Sequence, residues 1–469
     1  MGARIASFVF ALGILGLFAL DHNPKQRTSK ALWIPALWVF IAASRSASQW
    51  LSSLGSGGAV PSLESTDQFL EGSPIDRFIL TGLLVVGLIA LVRRGTKVLT
   101  LLGANVPICL FFFYCGVSIL WSDFPDVAFK RWTKALGDLV MVLLVLTDLD
   151  PSAAVKRLLS RVGFVLVPLS VLFIKYYPDL GRGYRPWIWT PYYTGVTTNK
   201  NELGYLCLVF GLGTLWRFLE AWRDRHSRVR RLIAHGVVLA MVLWLFWMAN
   251  SMTSFSCFLM ASVLMAQSNF RVLAGRAWVV HVLVGAILAV SVSTLFLDLG
   301  SGLLETMGRD PTLTGRTEIW HRVFGMMNNP LFGTGFSSFW LGKRLETMWS
   351  LYWWHPREAH DGYVEVYLNL GWVGVVLLTG VLVTGYRNAI AAFHRDLETG
   401  RLRVAYFVVA VAYNFTESAF GTMNLVWIFC LLAIVAVPGG WVRIKPRKAV
   451  AALAPTVSNP LVYQRFNEV

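Results

Sequence analysis

Long apolar runs recur from one end of this chain to the other, and they limit the folds available to it. The 469 residues are 55% hydrophobic and only 14% charged, whereas a soluble protein of similar length carries roughly a quarter charged residues. Many runs reach roughly 17 to 25 residues, which is enough for one helix to cross a bilayer. The predicted fold class is therefore all-α, a polytopic helical membrane protein with about 12 to 13 transmembrane helices and one long helical outer-face loop.

The boundaries of these helices follow from the apolar runs and the polar residues between them. The first run is expected to be retained as a span, because its end lacks the small-residue cleavage site of a signal peptide. The predicted spans lie at roughly 5–20, 31–43, 78–92, 98–121, 134–147, 160–174, 201–219, 232–249, 254–267, 277–298, 363–385, 404–418 and 424–438.

Short basic loops orient the spans, since loops rich in Lys and Arg stay on the cytoplasmic side. Residues 93–97, 223–231 and 271–276 form such loops. Alternation from them places 175–200, 299–362 and the amino terminus on the outer face. The net charge of +16 is accounted for largely by basic helix ends, so no nucleic-acid partner is predicted. The tail is predicted to be a solvated cytoplasmic end, and it carries Arg443, Lys445, Arg447 and Lys448.

Four sections of the chain follow from this map. Residues 1–174 are predicted to hold N-terminal transmembrane helices, and 175–298 central ones with a basic and aromatic outer loop at 175–200. Residues 299–362 are predicted to form the long outer-face loop, and 363–469 to hold C-terminal transmembrane helices and the basic cytoplasmic tail. The five cysteines fall inside apolar runs without CxxC spacing, so neither disulfides nor a metal cluster is expected.

The long polar loop is the main candidate for function, because a membrane protein rarely keeps such a loop without a use for it. Its arginines, histidines and aromatic rings suit a phosphorylated, sugar-bearing substrate. Basic residues on the outer face indicate an anion site, although long loops also cross the membrane regardless of their charge. The residues in question are Arg309, Arg316, Arg322, Lys343, Arg344, Arg357, His321, His355, His360, Trp320, Trp340, Trp349, Trp353 and Trp354.

Local patterns refine both outer segments. Lys200 stands at a predicted helix start, where free N–H groups and the helix dipole attract phosphate. The aromatic rings around Arg182 and Arg185 fit either an anion site or an interfacial belt. In the long loop, an amphipathic helix is predicted at 316–327 with Thr314 as its cap. A glycine-rich turn follows at 329–336, which would let the backbone approach a ligand closely.

Specific motifs then point to a family. They stand in order at 71–77 (EGSPIDR), 121–123 (WSD), 195–204 (GVTTNKNELG), 314–320 (TGRTEIW), 330–336 (PLFGTGF) and 360–365 (HDGYVE). On these segments the chain resembles the O-antigen ligase and polymerase superfamily of bacterial inner-membrane proteins. The resemblance is greatest to the exopolysaccharide-production polymerase branch of that superfamily.

One motif separates the branches of this family. Its ligases show His, then Asn, Ser or Gln, then nine residues and Gly-x-x-Gly. Here His360 and Asp361 precede nine residues and then Gly371-Trp-Val-Gly374, so an acid stands at the amide position. Valine also replaces the basic residue that ligases carry after the second glycine. These departures favour chain polymerisation over ligation, and the segment 416–419 (TESA) also looks like the polymerase branch.

The resemblance implies a substrate of oligosaccharide on polyprenyl pyrophosphate, delivered to the periplasmic side of the bacterial inner (plasma) membrane. The glycan would pass to a hydroxyl of an acceptor glycan, with inversion at the anomeric carbon. Membrane lipids and other polysaccharide assembly and export proteins are the further partners implied. No cofactor or metal is expected, since arginines would replace a cation and since His355 and His360 have a poor helical ligand spacing.

The chemistry of this reaction assigns roles to individual residues. Arginine is permanently charged and forked, so Arg316 and Arg185 are predicted to stabilise the leaving pyrophosphate. Histidine is poised near neutral pH, so His360 is predicted to take the acceptor proton, oriented by Asp361 or Glu365. His321 and His355 are expected to be bystanders or acceptor-binding groups. Substrate binding is assigned to Arg182, Lys200, Asn201, Asp361, Glu365 and Trp320.

Other functions stay open. An O-antigen ligase would transfer the glycan to a lipid A–core acceptor. A transporter of polysaccharide or lipid-linked sugar would carry polar residues within its spans, for which Asn105, Asp138 and Glu417 are candidates. A non-catalytic scaffold of a polysaccharide assembly complex would need neither His360 nor the outer-face arginines.

Overall fold

A computed structural model of the protein describes residues 2–23, 27–55, 72–184, 190–224, 228–267 and 312–438, with a few helical residues between 278 and 286. Most of the predicted span at 277–298, the basic loop at 271–276 and the basic tail lie outside the described residues. The same holds for Arg185, Arg309 and the motif residue Glu71.

The described residues form helices joined by short connections, with one small hairpin. The first eight helices are α1 Ala3–Asp21, α2 Trp33–Ala42, α3 Ala47–Gly55, α4 Pro74–Val92, α5 Thr96–Ala104, α6 Val106–Val117, α7 Pro125–Leu146 and α8 Pro151–Tyr176. The next nine are α9 Pro178–Gly181, α10 Lys200–Arg223, α11 Arg228–Ala249, α12 Met252–Gln267, α13 Thr312–Gly325, α14 Gly342–Leu351, α15 Gly362–Arg395, α16 Leu397–Tyr413 and α17 Leu425–Ile434. Strands β1 Arg182–Tyr184 and β2 Pro191–Tyr193 pair antiparallel, with Gly183 opposite Tyr192.

The helices confirm the prediction of a polytopic helical membrane protein. Six of the described helices are long and apolar enough to cross a membrane, and eight spans result if each of two bent pairs counts as one. Helices α8 and α10 are largely buried inside the protein, whereas α1 and α4 expose most of their apolar side chains. Exposed apolar faces of this kind suit contact with lipid. A helix can lie against lipid because its backbone N–H and C=O groups bond to one another within the helix.

The predicted single span at 98–121 is wrong in detail. Helix α5 and the segment from α6 to Trp121 meet at an angle of 89°. The bend falls at Asn105, whose φ of −129° and ψ of 41° are not helical. Pro107 follows closely and lacks the N–H that a continuous helix needs. The Asn105 side chain satisfies the interrupted backbone, since its Nδ2 donates to the Leu101 and Ala436 carbonyls.

Side-chain contacts define the two ends of the helix bundle. The Ser7 and Tyr177 hydroxyls lie 2.8 Å apart, which places the start of α1 beside the end of α8. At the opposite end, Arg94 donates to the Thr147 hydroxyl at 2.7 Å and Arg230 donates to the Ala19 carbonyl at 2.6 Å. The basic segments 93–97 and 228–231 therefore share one end, as the alternation of spans predicts. We call the other end, which carries 177–184, 190–199 and 358–361, the outer end.

Helix α15 is broken near the outer end. Gly371 has φ 65° and ψ −165°, and an added Cβ there would lie 2.3 Å from the Leu331 carbonyl oxygen. The glycine-rich turn at 329–336 fills the break. The glycines of the turn therefore let its backbone approach the backbone of α15 closely. Such repair is needed because unpaired backbone groups are costly at membrane depth. The bonds run from the N–H groups of Thr334, Gly335, Trp372 and Val373 to the carbonyls of Leu368, Asn369, Pro330 and Leu331, respectively.

Candidate functional site

Four segments that are distant in sequence meet at the outer end. They are the start of α10, the helix α13, residues 358–361 before α15, and residues 414–417 after α16. Asn201 Nδ2 lies 3.4 Å from Glu417 Oε1, and Arg316 Nη1 donates to the Thr416 carbonyl at 2.8 Å. The Gly362 N–H donates to the Asn414 carbonyl at 2.8 Å. The sequence motifs around Lys200, Arg316 and His360 thus converge on one small region.

His360 occupies the centre of this region. Its Nδ1 lies 3.0 Å from Glu358 Oε1 and 3.5 Å from Glu417 Oε2. Neither carboxylate is aligned with the ring N–H closely enough for a well-formed hydrogen bond, so Nδ1 is shared between the two charges. The side chain keeps 25% of its surface exposed, and the residue adopts a positive φ of 52°. A non-glycine residue held in this left-handed region is uncommon and often marks a functional position.

The carboxylates also decide the charge of the ring. Burial alone would lower the pKa of His360, but the contacts with Glu358 and Glu417 outweigh it and raise this pKa to about 9. Two nearby negative charges stabilise the imidazolium form. At pH 7 the ring therefore carries its proton for most of the time.

The predicted orienting carboxylates of His360 have other partners. Asp361 is the N-cap of α15 and accepts from the Tyr363 and Val364 N–H groups, each at 2.8 Å. Burial raises the pKa of the Asp361 carboxyl to about 6. Glu365 accepts from the Ala359 N–H at 2.6 Å and from Trp340 Nε1 at 2.7 Å. Their described contacts cap a helix and brace a loop, so a role of either carboxylate in orienting the ring stays a prediction.

Trp320 and Glu365 nevertheless fix the position of the histidine. Trp320 Nε1 donates to the Ala359 carbonyl at 2.8 Å, while Glu365 accepts from the N–H of the same residue. Both backbone polar groups of Ala359, the residue before His360, are thus held by side chains. Substrate binding by Trp320 stays a prediction, and its described contact is structural.

The predicted cations take different places. Arg316 is half-buried on α13, where its one described hydrogen bond goes to the Thr416 carbonyl. Arg182 donates through Nε and Nη2 to the Ile174 carbonyl at 3.0 and 2.8 Å, which ties the hairpin to the end of α8. Lys200 is the first residue of α10, as predicted, and Asn199 caps that helix by accepting from the Glu202 N–H. Phosphate binding by Arg182, Lys200 and Arg185 stays a prediction.

The other two histidines lie outside this cluster. His355 stacks on Trp349 with ring centroids 4.7 Å apart, so it packs the loop. His321 is exposed on α13, beside a surface cavity of about 490 Å³ that Thr317, Glu318 and Arg322 also line. The predicted cap of this helix is wrong, because α13 begins at Thr312 and contains Thr314.

One group of side chains has the spacing of metal ligands. Glu358, His360 and Glu417 bring a nitrogen and two carboxylate oxygens within 4.8 Å of one another. Nitrogen and oxygen donors of this kind are the ligands that Zn²⁺ accepts. An imidazolium ring between two carboxylates gives the same spacing by charge attraction alone. Separate segments supply these residues, so ligand spacing along the sequence could not reveal them.

Glu358 and Glu417 are the contacts of His360 that sequence reasoning missed. Glu358 precedes the histidine by two residues, and Glu417 follows it by 57 residues, after a different helix. The signal in the sequence is the segment 416–419, whose likeness to the polymerase branch assigns no role to its glutamate.

One protein family and one individual protein are similar in sequence to this chain. Residues 158–379 match the model of the family described as O-antigen ligase. The exopolysaccharide production protein ExoQ of Rhizobium meliloti (strain 1021) is 24% identical over 303 residues. These residues cover 62% of this chain and 66% of ExoQ, so the chain spans slightly less than two thirds of that relative.

The fold defines the protein as a polytopic helical membrane protein, and over residues 158–379 its sequence is similar to the O-antigen ligase family. The resemblance to the O-antigen ligase and polymerase superfamily, and to its exopolysaccharide branch, is thereby confirmed. Both similarities support the expectation of a glycosyltransferase-type enzyme. The family match includes Asn201, Arg316 and His360, and it ends before Glu417.

Proposed function

We propose that this protein is an inverting, metal-independent glycosyltransferase of the bacterial inner membrane. It polymerises oligosaccharide repeat units, carried on polyprenyl pyrophosphate, into exopolysaccharide or O-antigen at the periplasmic face. The observation that carries the proposal is the convergence of His360, Arg316 and two carboxylates at the end of the bundle opposite the basic segments. Basic segments mark the cytoplasmic end by the usual charge rule, so the cluster lies on the periplasmic side.

Arg316 supplies the positive charge that the leaving group needs. Pyrophosphate gains negative charge as the bond to the anomeric carbon breaks, and a forked guanidinium stabilises phosphate oxygens. Arg316 is half-buried and spends one nitrogen on the Thr416 carbonyl, which fixes its position. Its remaining N–H groups then serve the substrate. Arg182 and Lys200 are further cations of this face, and Arg185 joins them by sequence prediction alone.

His360 acts on the acceptor. The attacking hydroxyl must lose a proton, and an unprotonated imidazole within reach takes it. The pKa of His360, raised to about 9, makes the neutral ring a strong base but a minor species at pH 7. Polymerisation should therefore speed up as the pH rises towards this pKa.

The polymerase is favoured over the ligase for two reasons. The relative ExoQ is described as an exopolysaccharide production protein. In this chain the position after Gly374 is valine, where ligases of the family carry a basic residue. Transfer to a lipid A–core acceptor is therefore the second candidate.

A transporter gains no support from the polar residues within the helices. Asp138 accepts from Trp38 Nε1 at 2.7 Å and from the Met423 N–H at 2.8 Å. Asn105 bonds backbone groups at the α5–α6 bend. Both side chains satisfy their neighbours and hold the fold, whereas transport sites face a solvated path.

Complementation of a polymerase-deficient host tests the proposal. The variants are His360→Ala and Arg316→Ala, and the matched controls are His321→Ala and Arg322→Ala on the exposed face of α13. We expect normal membrane abundance for all four, with polymer lost and lipid-linked single repeat units accumulating only for the first two. Full-length polymer from both site variants would refute the site. Normal polymer that is no longer attached to a lipid acceptor would establish the ligase instead.

A further inference from the structure

We propose that Glu417 is a positioning residue that acts together with Glu358 on Nδ1 of His360 and leaves Nε2 as the atom that exchanges the acceptor proton. This inference rests on the proposed glycosyl transfer and deepens it. It assigns a role to a residue that the motif match to O-antigen ligases does not reach.

The first support is the geometry around the ring. Both carboxylates approach the same nitrogen, Nδ1, from different segments of the chain. Nε2 has no hydrogen-bond partner among the described residues. Catalytic histidines work through one nitrogen while a carboxylate holds the other, and the carboxylate stabilises the imidazolium that forms. Glu417 is the better buried of the two, with 13% of its side chain exposed against 39% for Glu358.

The second support is that adjacent residues hold both proposed reactive groups. The Thr416 carbonyl accepts from Arg316, and the Glu417 carboxylate contacts His360. Residues 416–417 therefore set the separation between the cation for the leaving group and the base for the acceptor. Asn201 extends the arrangement to the start of α10, since its Nδ2 approaches the other oxygen of Glu417.

The segment that carries Glu417 is itself firmly held. Asn414 is fully buried, and its Oδ1 accepts from the Ala419 and Phe420 N–H groups at 2.8 and 2.9 Å. Its Nδ2 donates to the Ala410 carbonyl at 2.7 Å. Further along, Asp138 accepts from the Met423 N–H. A segment braced at these points can fix the direction of a short glutamate side chain.

The charges around His360 give the expected direction of the effect. Glu358 and Glu417 touch the ring, and Glu365 lies close enough to interact with it. Arg316 faces Asp361, which follows the histidine in sequence. Tyr205 and Tyr413 are the other ionisable groups near the two glutamates. Removing one carboxylate charge lowers the pKa of His360, because one source of imidazolium stabilisation is lost.

The proton and electron balance of the step is simple. The acceptor oxygen forms a bond to the anomeric carbon and gives its proton to the neutral Nε2. The bond from that carbon to the pyrophosphate oxygen breaks, and its electron pair leaves with the pyrophosphate. The imidazolium is stabilised at Nδ1 by both glutamates until the proton passes to solvent.

The test is the pH profile of kcat/KM for the full chain in proteoliposomes, with a polyprenyl-pyrophosphate oligosaccharide as substrate. The variants are Glu417→Gln and Glu358→Gln, which keep the side-chain shape, and the control is Glu346→Gln on the exposed surface of α14. In Glu417→Gln we expect the acid limb of the pH profile to shift to a pH about one unit lower. At a given pH on that limb, kcat/KM relative to its plateau would then rise by up to about tenfold. The control should retain the original limb.

Three results would contradict the proposal. The first is a Glu417→Gln profile with its limb unmoved, whether or not the plateau falls, since a purely structural residue gives that result. The second is loss of all activity with EDTA and its recovery with Zn²⁺, which would make the glutamates metal ligands. The third is a limb that moves equally in the control. Full activity of His360→Ala at every pH would instead refute the proposed base itself, so the two failures are distinguishable.

Discussion

The protein has a histidine among carboxylates at each end of its helix bundle, and the two clusters differ in how their charges are balanced. At the end opposite the proposed site, His235 Nε2 lies 3.1 Å from Asp21, which also receives Arg217 at 2.8 Å. Arg217 and Lys156 both contact Glu220. Two permanent cations thus match two carboxylates there, and His235 is only 2% exposed.

Within the part of the chain that the structure describes, the cluster at the outer end has no such compensation. Among the described residues, no Lys or Arg forms a salt bridge with Glu358 or Glu417, so the His360 proton supplies the positive charge. The ring is also 25% exposed. A closed, balanced cluster is suited to holding helices together, whereas an open one that depends on a single removable proton is suited to chemistry.

The largest expected effect comes from exchanging the two histidines in turn for alanine. General-base catalysis contributes roughly 10²- to 10⁴-fold, so His360→Ala should lower kcat by about that factor, and it should lower thermal stability less than His235→Ala does. His235→Ala should lower the thermal midpoint and leave kcat of the folded fraction almost unchanged. Rates of polymerisation and melting curves of both purified variants are the measurements. Equal loss of activity in the two variants would remove the distinction between the clusters.

The arginines of the two clusters should show the reverse pattern. Breaking a buried ion pair by removing one partner costs about 3–5 kcal/mol, because an uncompensated charge stays behind. Arg217→Met leaves Asp21 and Glu220 without their shared cation, so we expect a large loss of stability in denaturant or heat. Arg316→Met removes one hydrogen bond to a carbonyl and should cost about 1 kcal/mol while abolishing polymerisation. A stable Arg217→Met protein would show that the balance of charge at this end is dispensable.

Sequence reasoning reached the single residues of the site more readily than their partners. His360 and Arg316 stand in motifs, and the start of α10 at Lys200 follows from local polar and apolar patterns. The sequence marks Glu417 as a polar residue near a span end and within the segment 416–419, but its contact with His360 depends on how α15 and α16 pack. Pairing of that kind is set by tertiary structure and leaves no local periodicity to detect.

The same limit applies to details that local spacing does not show. Asp361 and Glu365 are four residues apart, and only the structure shows that one caps α15 and the other braces Ala359. The segment 98–121 is one apolar run in the sequence, which predicts one straight span. The structure bends at Asn105, and the bend costs little because the Asn105 side chain replaces the lost backbone hydrogen bonds. The glycines of the turn at 329–336 indicated a close backbone approach, and only the structure shows that α15 is what they approach.

The break at Gly371 offers a way to loosen the outer cluster without touching it. Gly371→Ala places a Cβ against the Leu331 carbonyl at a positive φ. Strained backbone of this kind costs of order 1–3 kcal/mol. We expect a lower thermal midpoint and reduced activity, because the piece of α15 that carries Asp361 loses its fixed direction. Gly380→Ala, farther along α15 with open space around it, is the matched control.

If the control and Gly371→Ala have the same thermal midpoint, the added Cβ at position 371 does not cause the backbone strain that we assign to it. If Gly371→Ala is destabilised but keeps its full rate when folded, the break supports the fold without positioning the site. Either result would separate the geometry of α15 from the chemistry at its outer end.

The smallest expected effect is a dependence of stability on pH that arises at the outer cluster. The pKa of His360 is raised from 6.5 to about 9 in the folded protein, so the folded state holds the proton more tightly than the unfolded chain does. The stabilisation is complete below pH 6.5 and is lost as the pH rises through about 9. The thermal midpoint should therefore fall over this window in the unchanged protein and fall less in His360→Ala. Glu417→Gln should narrow the window from its upper end, because it lowers the folded-state pKa of the ring alone. A fall of equal size in His360→Ala would assign the pH dependence to other groups and leave His360 without the charge that distinguishes its cluster from that of His235.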